Sequence, residues 1–277
     1  MIQAVLLDLD GTLLNDQKMI SPKTKETLLS LQANGIRIVL ASGRPKRGIE
    51  PFATELKLEQ YGGLIVSSNG ACVTDATTGE TLFEQAIDRD VARAILDHLT
   101  GFDVIPMLND ETYMYVNDVF SGMLELNGEP FNIIKYESRG GRFQLREEPR
   151  LADAIAFPVY KILVAGQPDY LQANVDAMSQ PFNQQVTGMF TANMYYEFTD
   201  YGIDKARALD HVFQQVGIAS DQTIAFGDGH NDRSMLEYAG ISVAMDNAVD
   251  AIKAIATDVT RSNNEEGIAL HLARYLS

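Results

Sequence analysis

The sequence predicts an α/β protein whose core is a doubly wound, parallel-sheet domain interrupted by an inserted α+β domain. Three observations predict this class. Short apolar segments alternate with amphipathic segments at the start of the chain, the same alternation returns at its end, and the middle is rich in strand-like and aromatic segments. The chain has 277 residues, of which 45% are hydrophobic. At this length, folding buries about three quarters of the unfolded surface, so a large core is available.

The N-terminal part of the chain predicts three strands separated by two helices. Residues 4–9 form an apolar segment of the kind that is buried on both faces of a parallel sheet. Ser21-Pro22 is typical of a helix start, and Asn34-Gly35 of a helix end. The predicted strands are 4–9, 36–41 and 64–66, and the second helix includes Ile49, Phe52 and Leu56.

The C-terminal part repeats this order of elements. An apolar stripe at helical spacing runs from Leu209 to Val216, and Gly217 ends that helix. The pattern predicts further strands at 223–226, at 241–245 and near Val259, and further helices at 234–239, 248–256 and 268–276.

The middle of the chain lacks the strict strand–helix alternation. Its strand-like segments point toward hairpins, which favours an antiparallel sheet within an α+β insert. The predicted core therefore covers 1–83 and 198–277, and the predicted insert covers 84–197. Within the insert, strands are predicted at 113–116, 160–164 and 195–198, helices at 91–99 and 170–178, and loops at Gly140-Gly141 and Pro149.

The charge and the cysteine count exclude several classes of protein. The chain has 22 Lys and Arg against 38 Asp and Glu, a net charge of −16. Binding to nucleic acid or to anionic membrane needs a basic surface instead. A single cysteine, Cys72, excludes an internal disulfide framework. We see no basic leader and no apolar run of about 18 residues, so we expect a cytoplasmic protein with no nucleic-acid, membrane or obligate protein partner.

Two carboxylates follow the first predicted strand. Asp8 and Asp10 are two residues apart on an extended chain, so both point outward at the carboxyl edge of the sheet, where open α/β sheets bind ligands. Acids at the end of an apolar strand are costly unless a cation or hydrogen bonds compensate them. Gly11 allows a tight turn whose N–H groups can face an anion. When this segment is considered alone, an ordinary surface Asp-Gly turn is the favoured interpretation.

A second acidic loop, residues 227–232, follows the strand predicted at 223–226. Its Asp228 and Asp232 would meet Asp8 and Asp10 if the two strands are neighbours in the sheet. Oxygen ligands gathered at one edge suit Mg²⁺. The alternative is a loop in which Asn231 or Asp232 caps the next helix. Two acidic loops at one edge favour the metal site.

Two further loops contribute groups to the same edge. Ser42 and Gly43 end the second predicted strand and offer a hydroxyl and an N–H group. Lys205 lies in the first turn of a helix, where the helix dipole disfavours a cation, so it requires a carboxylate or a phosphate partner. Either residue alone is unremarkable, but four loops now converge on one edge.

In order and spacing, these motifs resemble the haloacid dehalogenase superfamily, and more narrowly its Cof-type phosphatases with an inserted C2B-type cap. The resemblance implies a Rossmann-like core and a cap that sets substrate specificity. Ala206 and Arg233 depart from the glycine and the aliphatic residue that are usual there, but neither change removes a reacting group. The motifs are Asp8-x-Asp10-Gly-Thr12, Ser42, Lys205 and Gly227-Asp228-x-x-Asn231-Asp232, joined by Asn69-Gly70-Ala71.

The resemblance also implies a role for each motif residue. Asp8 would form an aspartyl-phosphate, and Asp10 would act as general acid and then as general base. Mg²⁺ would be held by Asp8, the backbone carbonyl of Asp10 and Asp228, while Asp232 would orient metal-bound water or Lys205. The groups that would bind the phosphoryl oxygens are Ser42, Lys205, Asn231 and the N–H groups of Leu9, Gly11 and Gly43.

We therefore expect a Mg²⁺-dependent phosphatase that acts on small phosphorylated metabolites such as sugar phosphates. A phosphomutase, which returns the phosphoryl group to a sugar, is the nearest alternative. A non-catalytic metabolite-binding regulator on the same scaffold is the second. It would be expected to lack a catalytic acid or a phosphate ligand, and the sequence retains all of them.

Overall fold

The computed structural model of the chain describes residues 2–126 and 128–275. Leu276, the predicted end of the last helix, lies outside the described residues, as do Met1, Asn127 and Ser277. The chain divides into two compact units, one formed by Met1–Glu84 with Asp204–Ser277 and one formed by Gln85–Ile203. Among the described residues, no helix is both long enough and apolar enough to span a bilayer.

The N-terminal segment of the first unit follows the predicted order and adds one short helix and two strands. The first helix begins where the Ser21 side chain accepts a hydrogen bond from the N–H group of Thr24, with Pro22 at its first position. The elements are β1 (Ala4–Leu7), α1 (Pro22–Ala33), β2 (Arg37–Ala41), α2 (Lys46–Glu55), α3 (Leu58–Tyr61), β3 (Leu64–Ser67), β4 (Cys72–Asp75) and β5 (Thr81–Glu84).

The second unit is an α+β domain. Gly140, predicted to lie in a loop, instead ends a helix that begins at Ile133, where the Asn132 side chain caps the first turn. The elements are α4 (Arg89–Leu99), β6 (Ile105–Asn109), β7 (Tyr113–Val116), β8 (Met123–Leu126), β9 (Glu129–Asn132), α5 (Ile133–Gly140), β10 (Gln144–Glu147), α6 (Leu151–Ala154), β11 (Ile162–Ala165), α7 (Pro168–Ser179), β12 (Val186–Ala192) and β13 (Tyr195–Asp200).

The main sheet of the second unit has the strand order β10-β7-β6-β11-β13-β12. Its pairs are antiparallel except for β10 and β7, which run parallel. The helices α4 and α7 pack on one face, and α5 with the β8–β9 hairpin packs on the other. The unit ends at Ile203 rather than at residue 197, because β13 continues to Asp200.

The C-terminal segment returns to the first unit. The predicted helix at 248–256 is reduced to one short turn of helix. The elements are α8 (Lys205–Val216), β14 (Thr223–Gly227), α9 (Arg233–Tyr238), β15 (Ile241–Ala244), α10 (Asp250–Lys253), β16 (Asp258–Val259) and α11 (Gly267–Leu272).

These segments form one eight-stranded sheet in the order β16-β15-β14-β1-β2-β3-β4-β5. The strands from β16 to β3 are parallel, and β4 and β5 are antiparallel. Alternate residues of the strands face opposite layers: Leu7 packs toward α1, α2 and α11, and Leu6 toward α8, α9 and α10. The predicted fold class, a doubly wound core with an α+β insert, is confirmed.

Candidate active site

The sheet order brings the predicted motifs together. β1 lies between β14 and β2, and all three strands run parallel, so the residues that follow them meet at one edge. Asp8 follows β1, Ser42 follows β2 and Asp228 follows β14. Thus the condition set by the sequence, that the two acidic strands be neighbours, is met.

Lys205 lies at the centre of a buried cluster of charges. It is the first residue of α8, and its side chain is fully buried. Its Nζ lies 2.7 Å from Asp8 Oδ1 and 2.6 Å from Asp232 Oδ1, and it donates to the carbonyl oxygen of Ala41 at 2.8 Å. The partners that the helix dipole requires for this lysine are therefore two carboxylates.

The second acidic loop holds its carboxylates through its own backbone. Asp232 Oδ2 accepts hydrogen bonds from the N–H groups of Asp228 and Gly229, each at 2.9 Å. Asp228 Oδ1 accepts one from the hydroxyl of Thr12 at 2.8 Å. Gly11, at φ 84°, lies so close to Asp228 that a Cβ there would overlap its carboxylate. We call Asp8, Lys205, Asp228 and Asp232 the inner cluster.

The inner cluster has more negative charge than its lysine can balance. Carboxylate oxygens of Asp8, Asp228 and Asp232 lie within 4.8 Å of one another. Burial, reinforced by the neighbouring carboxylates, raises the pKa of Asp8. Burial also raises the pKa of Asp228 to about 6. Three carboxylates around one ammonium group form a site that a divalent cation would neutralise, so the residues present fit a metal ion.

Burial opposes the charge of Lys205, but the carboxylates of Asp232 and Asp8 outweigh it and raise the pKa of the lysine. Lys205 is therefore an ammonium group at neutral pH. Both oxygens of Asp232 already have partners, in Lys205 and in the two N–H groups. This arrangement suits a residue that orients its neighbours better than a direct metal ligand.

Asp10 belongs to a second, more exposed group of charges. Its Oδ2 lies 2.6 Å from Arg44 Nε, and its Oδ1 lies 2.7 Å from both Arg44 Nη2 and Lys18 Nζ. Burial would raise the pKa of Asp10, but these hydrogen bonds and charges outweigh it and hold the pKa below its usual value. We call Asp10, Arg44 and Lys18 the outer cluster.

The residues predicted to bind phosphoryl oxygens lie in the loops around these clusters. Ser42 is buried, and its Oγ accepts a hydrogen bond from the N–H group of Arg44 at 3.1 Å. Asn231 is half-buried in the short helical turn that precedes α9, and its amide donates to Asn69 Oδ1 at 3.1 Å. Leu9 and Gly11 lie in the turn after β1, and Gly43 follows Ser42.

Arg44 and Lys18 were not predicted as site residues. In the sequence, Arg44 is indicated as a site residue only by its position directly after the Ser42-Gly43 pair. Lys18 reaches Asp10 through a turn in which the Asn15 side chain accepts hydrogen bonds from the N–H groups of Gln17 and Met19. Lys18 itself adopts φ 58°, which its residue type does not indicate.

Known proteins resemble this chain over nearly its whole length. The family model described as haloacid dehalogenase-like hydrolase matches residues 5–272. The chain belongs to this family. The 5-amino-6-(5-phospho-D-ribitylamino)uracil phosphatase YitU of Bacillus subtilis is 30% identical over 99% of the chain and 97% of its own length. Phosphatase YwpJ of the same organism is 27% identical over 99% of the chain and 100% of its own length.

A solved structure extends the likeness to three dimensions. A haloacid dehalogenase-like hydrolase from Bacteroides thetaiotaomicron matches with a TM-score of 0.90 at 30% identity, covering 99% of this chain and 100% of that one. The resemblance inferred from the motifs is thus confirmed. The chain is an enzyme, a phosphatase of the haloacid dehalogenase-like hydrolase family.

Proposed function

We propose that the chain is a Mg²⁺-dependent phosphatase that hydrolyses small phosphomonoesters, sugar phosphates among them, through an aspartyl-phosphate on Asp8. The observation that carries this proposal is the inner cluster. A buried carboxylate, Asp8, lies 2.7 Å from a buried ammonium group at the carboxyl edge of a parallel sheet. Two more carboxylates stand beside it, Asp228 and Asp232.

In the first step, a carboxylate oxygen of Asp8 attacks phosphorus, and the bond between phosphorus and the ester oxygen breaks. The leaving alkoxide takes a proton from Asp10. In the second step, Asp10 removes a proton from water, the water oxygen attacks phosphorus, and the bond to Asp8 breaks. Inorganic phosphate leaves and Asp8 is regenerated.

Asp10 must carry a proton in the first step, yet Arg44 and Lys18 favour its anion. We infer that these contacts change when substrate binds, so that the guanidinium and ammonium groups no longer both face the carboxylate. Release of Asp10 from either cation raises its pKa toward the range in which it can protonate an alkoxide.

Lys205 holds Asp8 in place and keeps positive charge beside the phosphoryl group. Ser42 and Asn231, with the N–H groups of Leu9, Gly11 and Gly43, would bind the phosphoryl oxygens. Asp8, the carbonyl oxygen of Asp10 and Asp228 would hold Mg²⁺. When bound, that ion supplies positive charge that stabilises the phosphoryl oxygens during transfer. Asp232 orients Lys205 through the contact at 2.6 Å.

The names of three relatives support the proposed substrate class. YitU and two further Bacillus subtilis relatives carry the name of a phosphatase for a phosphorylated ribitylamino-uracil, a small sugar-alcohol phosphate. We propose a leaving group of comparable size and chemistry for this enzyme. The second unit, Gln85–Ile203, is proposed as the cap that selects it.

The test is phosphate release from an aryl phosphate and from a panel of sugar phosphates, ranked by kcat/KM. We expect activity that disappears on chelation and returns with Mg²⁺. Asp8→Asn should abolish turnover on every substrate, because the amide cannot form the acyl phosphate. Hydroxylamine should trap the intermediate in the wild type and not in the variant.

Asp221→Asn is the matched control, because Asp221 is an exposed aspartate just before β14. It should leave kcat/KM unchanged. Undiminished turnover in Asp8→Asn would rule out the covalent mechanism. Full activity in the presence of chelator would rule out the metal requirement. Isomerised sugar phosphate without free phosphate would identify a mutase instead.

A further inference from the structure

The turn after β3 has an unusual backbone. Ser68, Asn69 and Gly70 adopt φ values of 50°, 57° and 104°, three consecutive residues in the left-handed region. Residues other than glycine rarely adopt this backbone region, although asparagine tolerates it better than most. Ser68 and Asn69 are also buried. Such strain persists only where the surroundings determine it, and it is concentrated at functional sites.

The backbone of this turn holds the loop that carries Ser42. The N–H group of Asn69 donates to the carbonyl oxygen of Ser42 at 3.0 Å, and that of Ser68 donates to the carbonyl oxygen of Arg44 at 2.9 Å. Both bonds come from consecutive residues of this left-handed turn. The turn therefore fixes the loop on both sides of Gly43.

The side chain of Asn69 connects that loop to the second acidic loop. Its Oδ1 accepts the hydrogen bond from Asn231 Nδ2 at 3.1 Å. A Cβ built on Gly43 would lie 3.1 Å from Oδ1 and 3.2 Å from Nδ2 of Asn69, so the amide packs directly against the Gly43 backbone. An amide nitrogen carries two N–H groups. With one bound by Asn69, the orientation of the other is set.

Gly70 brings the turn against a third segment of the site. A Cβ at Gly70 would overlap the carbonyl oxygen of Asp204 and lie 3.0 Å from the backbone nitrogen of Lys205. Only glycine allows this approach at φ 104°. The turn thus touches the start of α8, where Lys205 begins the helix.

We propose that Asn69 is a positioning residue: its side chain orients the Asn231 amide to receive the phosphoryl group, while its backbone N–H group holds the Ser42-Gly43 loop. This inference rests on the proposed function, because Asn231 and Ser42 are phosphoryl ligands only within it. Asn69 acts through Asn231 and does not itself contact the reacting atoms. Its left-handed backbone is what places its amide between the two loops.

Asn69→Gly separates positioning from folding. Glycine adopts φ 57° without strain, so the backbone turn and its two hydrogen bonds are kept while the amide is lost. A misplacement of about 1 Å costs on the order of 100-fold in rate. We expect kcat/KM to fall about 10- to 100-fold and the Kd for inorganic phosphate with Mg²⁺ to rise, while the variant stays folded with a cooperative thermal transition.

Asn69→Asp is the conservative variant, because it keeps a side-chain acceptor for Asn231. Compared with Asn69→Gly, it should recover most of the lost activity. Lys57→Gly is the matched control. Lys57 has φ 56° and an exposed side chain, so the same substitution there should change neither activity nor phosphate affinity.

A double-mutant cycle with Asn231→Ala decides whether Asn69 acts through Asn231. We expect the double variant to be no worse than Asn231→Ala alone. Full activity in Asn69→Gly, or multiplied losses in the double variant, would overturn the positioning role. If Asn231→Ala lowers activity and Asn69→Gly does not, only this inference fails. If the wild type neither binds nor releases phosphate, the proposed function fails and this inference with it.

Discussion

The inner and outer clusters arise from carboxylates only two residues apart, Asp8 and Asp10, yet their electrostatics are opposite. In the inner cluster three carboxylates surround one ammonium group, and burial raises the pKa of Asp8. In the outer cluster two cations, Arg44 and Lys18, hold one carboxylate whose pKa is lowered. Burial together with the balance of neighbouring charges, and not the distance along the chain, decides how each acid behaves.

This difference separates two tasks that one phosphatase needs. In the proposed mechanism, the excess of carboxylates in the inner cluster would attract a cation and hold the nucleophile Asp8 beside it. An excess of cations around a half-exposed acid keeps it ionised until its contacts change. Each cluster can be perturbed by a single substitution. The resulting change in activity or stability should be larger where the substituted side chain is more deeply buried.

The largest effect is expected from Lys205→Met, which leaves the buried carboxylates of Asp8 and Asp232 without their cation. Activity should fall about 1,000-fold, as for loss of a group that stabilises transition-state charge. The free energy of unfolding should fall by about 3–5 kcal/mol without Mg²⁺, because a buried pair has lost one partner. Denaturant titrations with and without Mg²⁺ measure this, and the ion should restore part of the loss.

The raised pKa of Lys205 decides the pH at which these denaturant titrations should be made. Its contribution to stability is complete below the ordinary value of 10.5 and is lost only as pH rises through the higher value in the folded state. Neutral pH therefore captures the full effect. Lys23→Met, on an exposed lysine of α1, should change stability by less than about 0.5 kcal/mol. A Lys205 variant as stable as wild type without Mg²⁺ would contradict the charge imbalance.

The meeting of Asp8 and Asp228 was predictable from sequence on one condition, that their two strands are neighbours in a parallel sheet. Once β1 and β14 are neighbours, Asp8 and Asp228 must meet at the carboxyl edge. Lys205 was predictable from an electrostatic conflict at a helix start. Neither inference needed knowledge of side-chain conformation, only of which strands adjoin.

The outer cluster was not predictable, because it depends on how particular turns close. Lys18 reaches Asp10 only because the turn around Asn15 places it there. In the second unit, β10 is exposed along its length and lacks an alternating apolar pattern, so nothing in its residues predicts a strand that pairs in parallel with β7. Contacts between distant side chains and edge-strand pairing have no local signal.

The next effect concerns competition between protons and Mg²⁺ in the inner cluster. The pKa of Asp228 is about 6. As pH falls through this value the carboxylate takes up a proton, and the Kd for Mg²⁺ should rise by up to about tenfold per pH unit below it. Calorimetric titrations in two buffers of different ionisation enthalpy would also report proton release.

Thr12→Val tests what sets the pKa of Asp228. The Thr12 hydroxyl donates to Asp228 and lowers its pKa against the effect of burial. Without the hydroxyl, the pKa should rise, and the loss of Mg²⁺ affinity should begin at a higher pH than in the wild type. An affinity that does not change as pH falls through 6 would show that Asp228 is not a ligand.

The smallest effect is expected in the outer cluster, from Lys18→Met. Asp10 must be protonated to act as general acid, so its pKa sets the pH above which kcat/KM declines. Lys18 lowers that pKa, although its side chain is 51% exposed and solvent weakens the interaction. Its removal should move the basic limb of the pH profile upward by less than about one unit. Since Arg44 keeps both of its contacts to Asp10, the maximum rate should change little. An upward shift of the acidic limb, with the basic limb unmoved, would show instead that Asp10 acts as the anion in the first step.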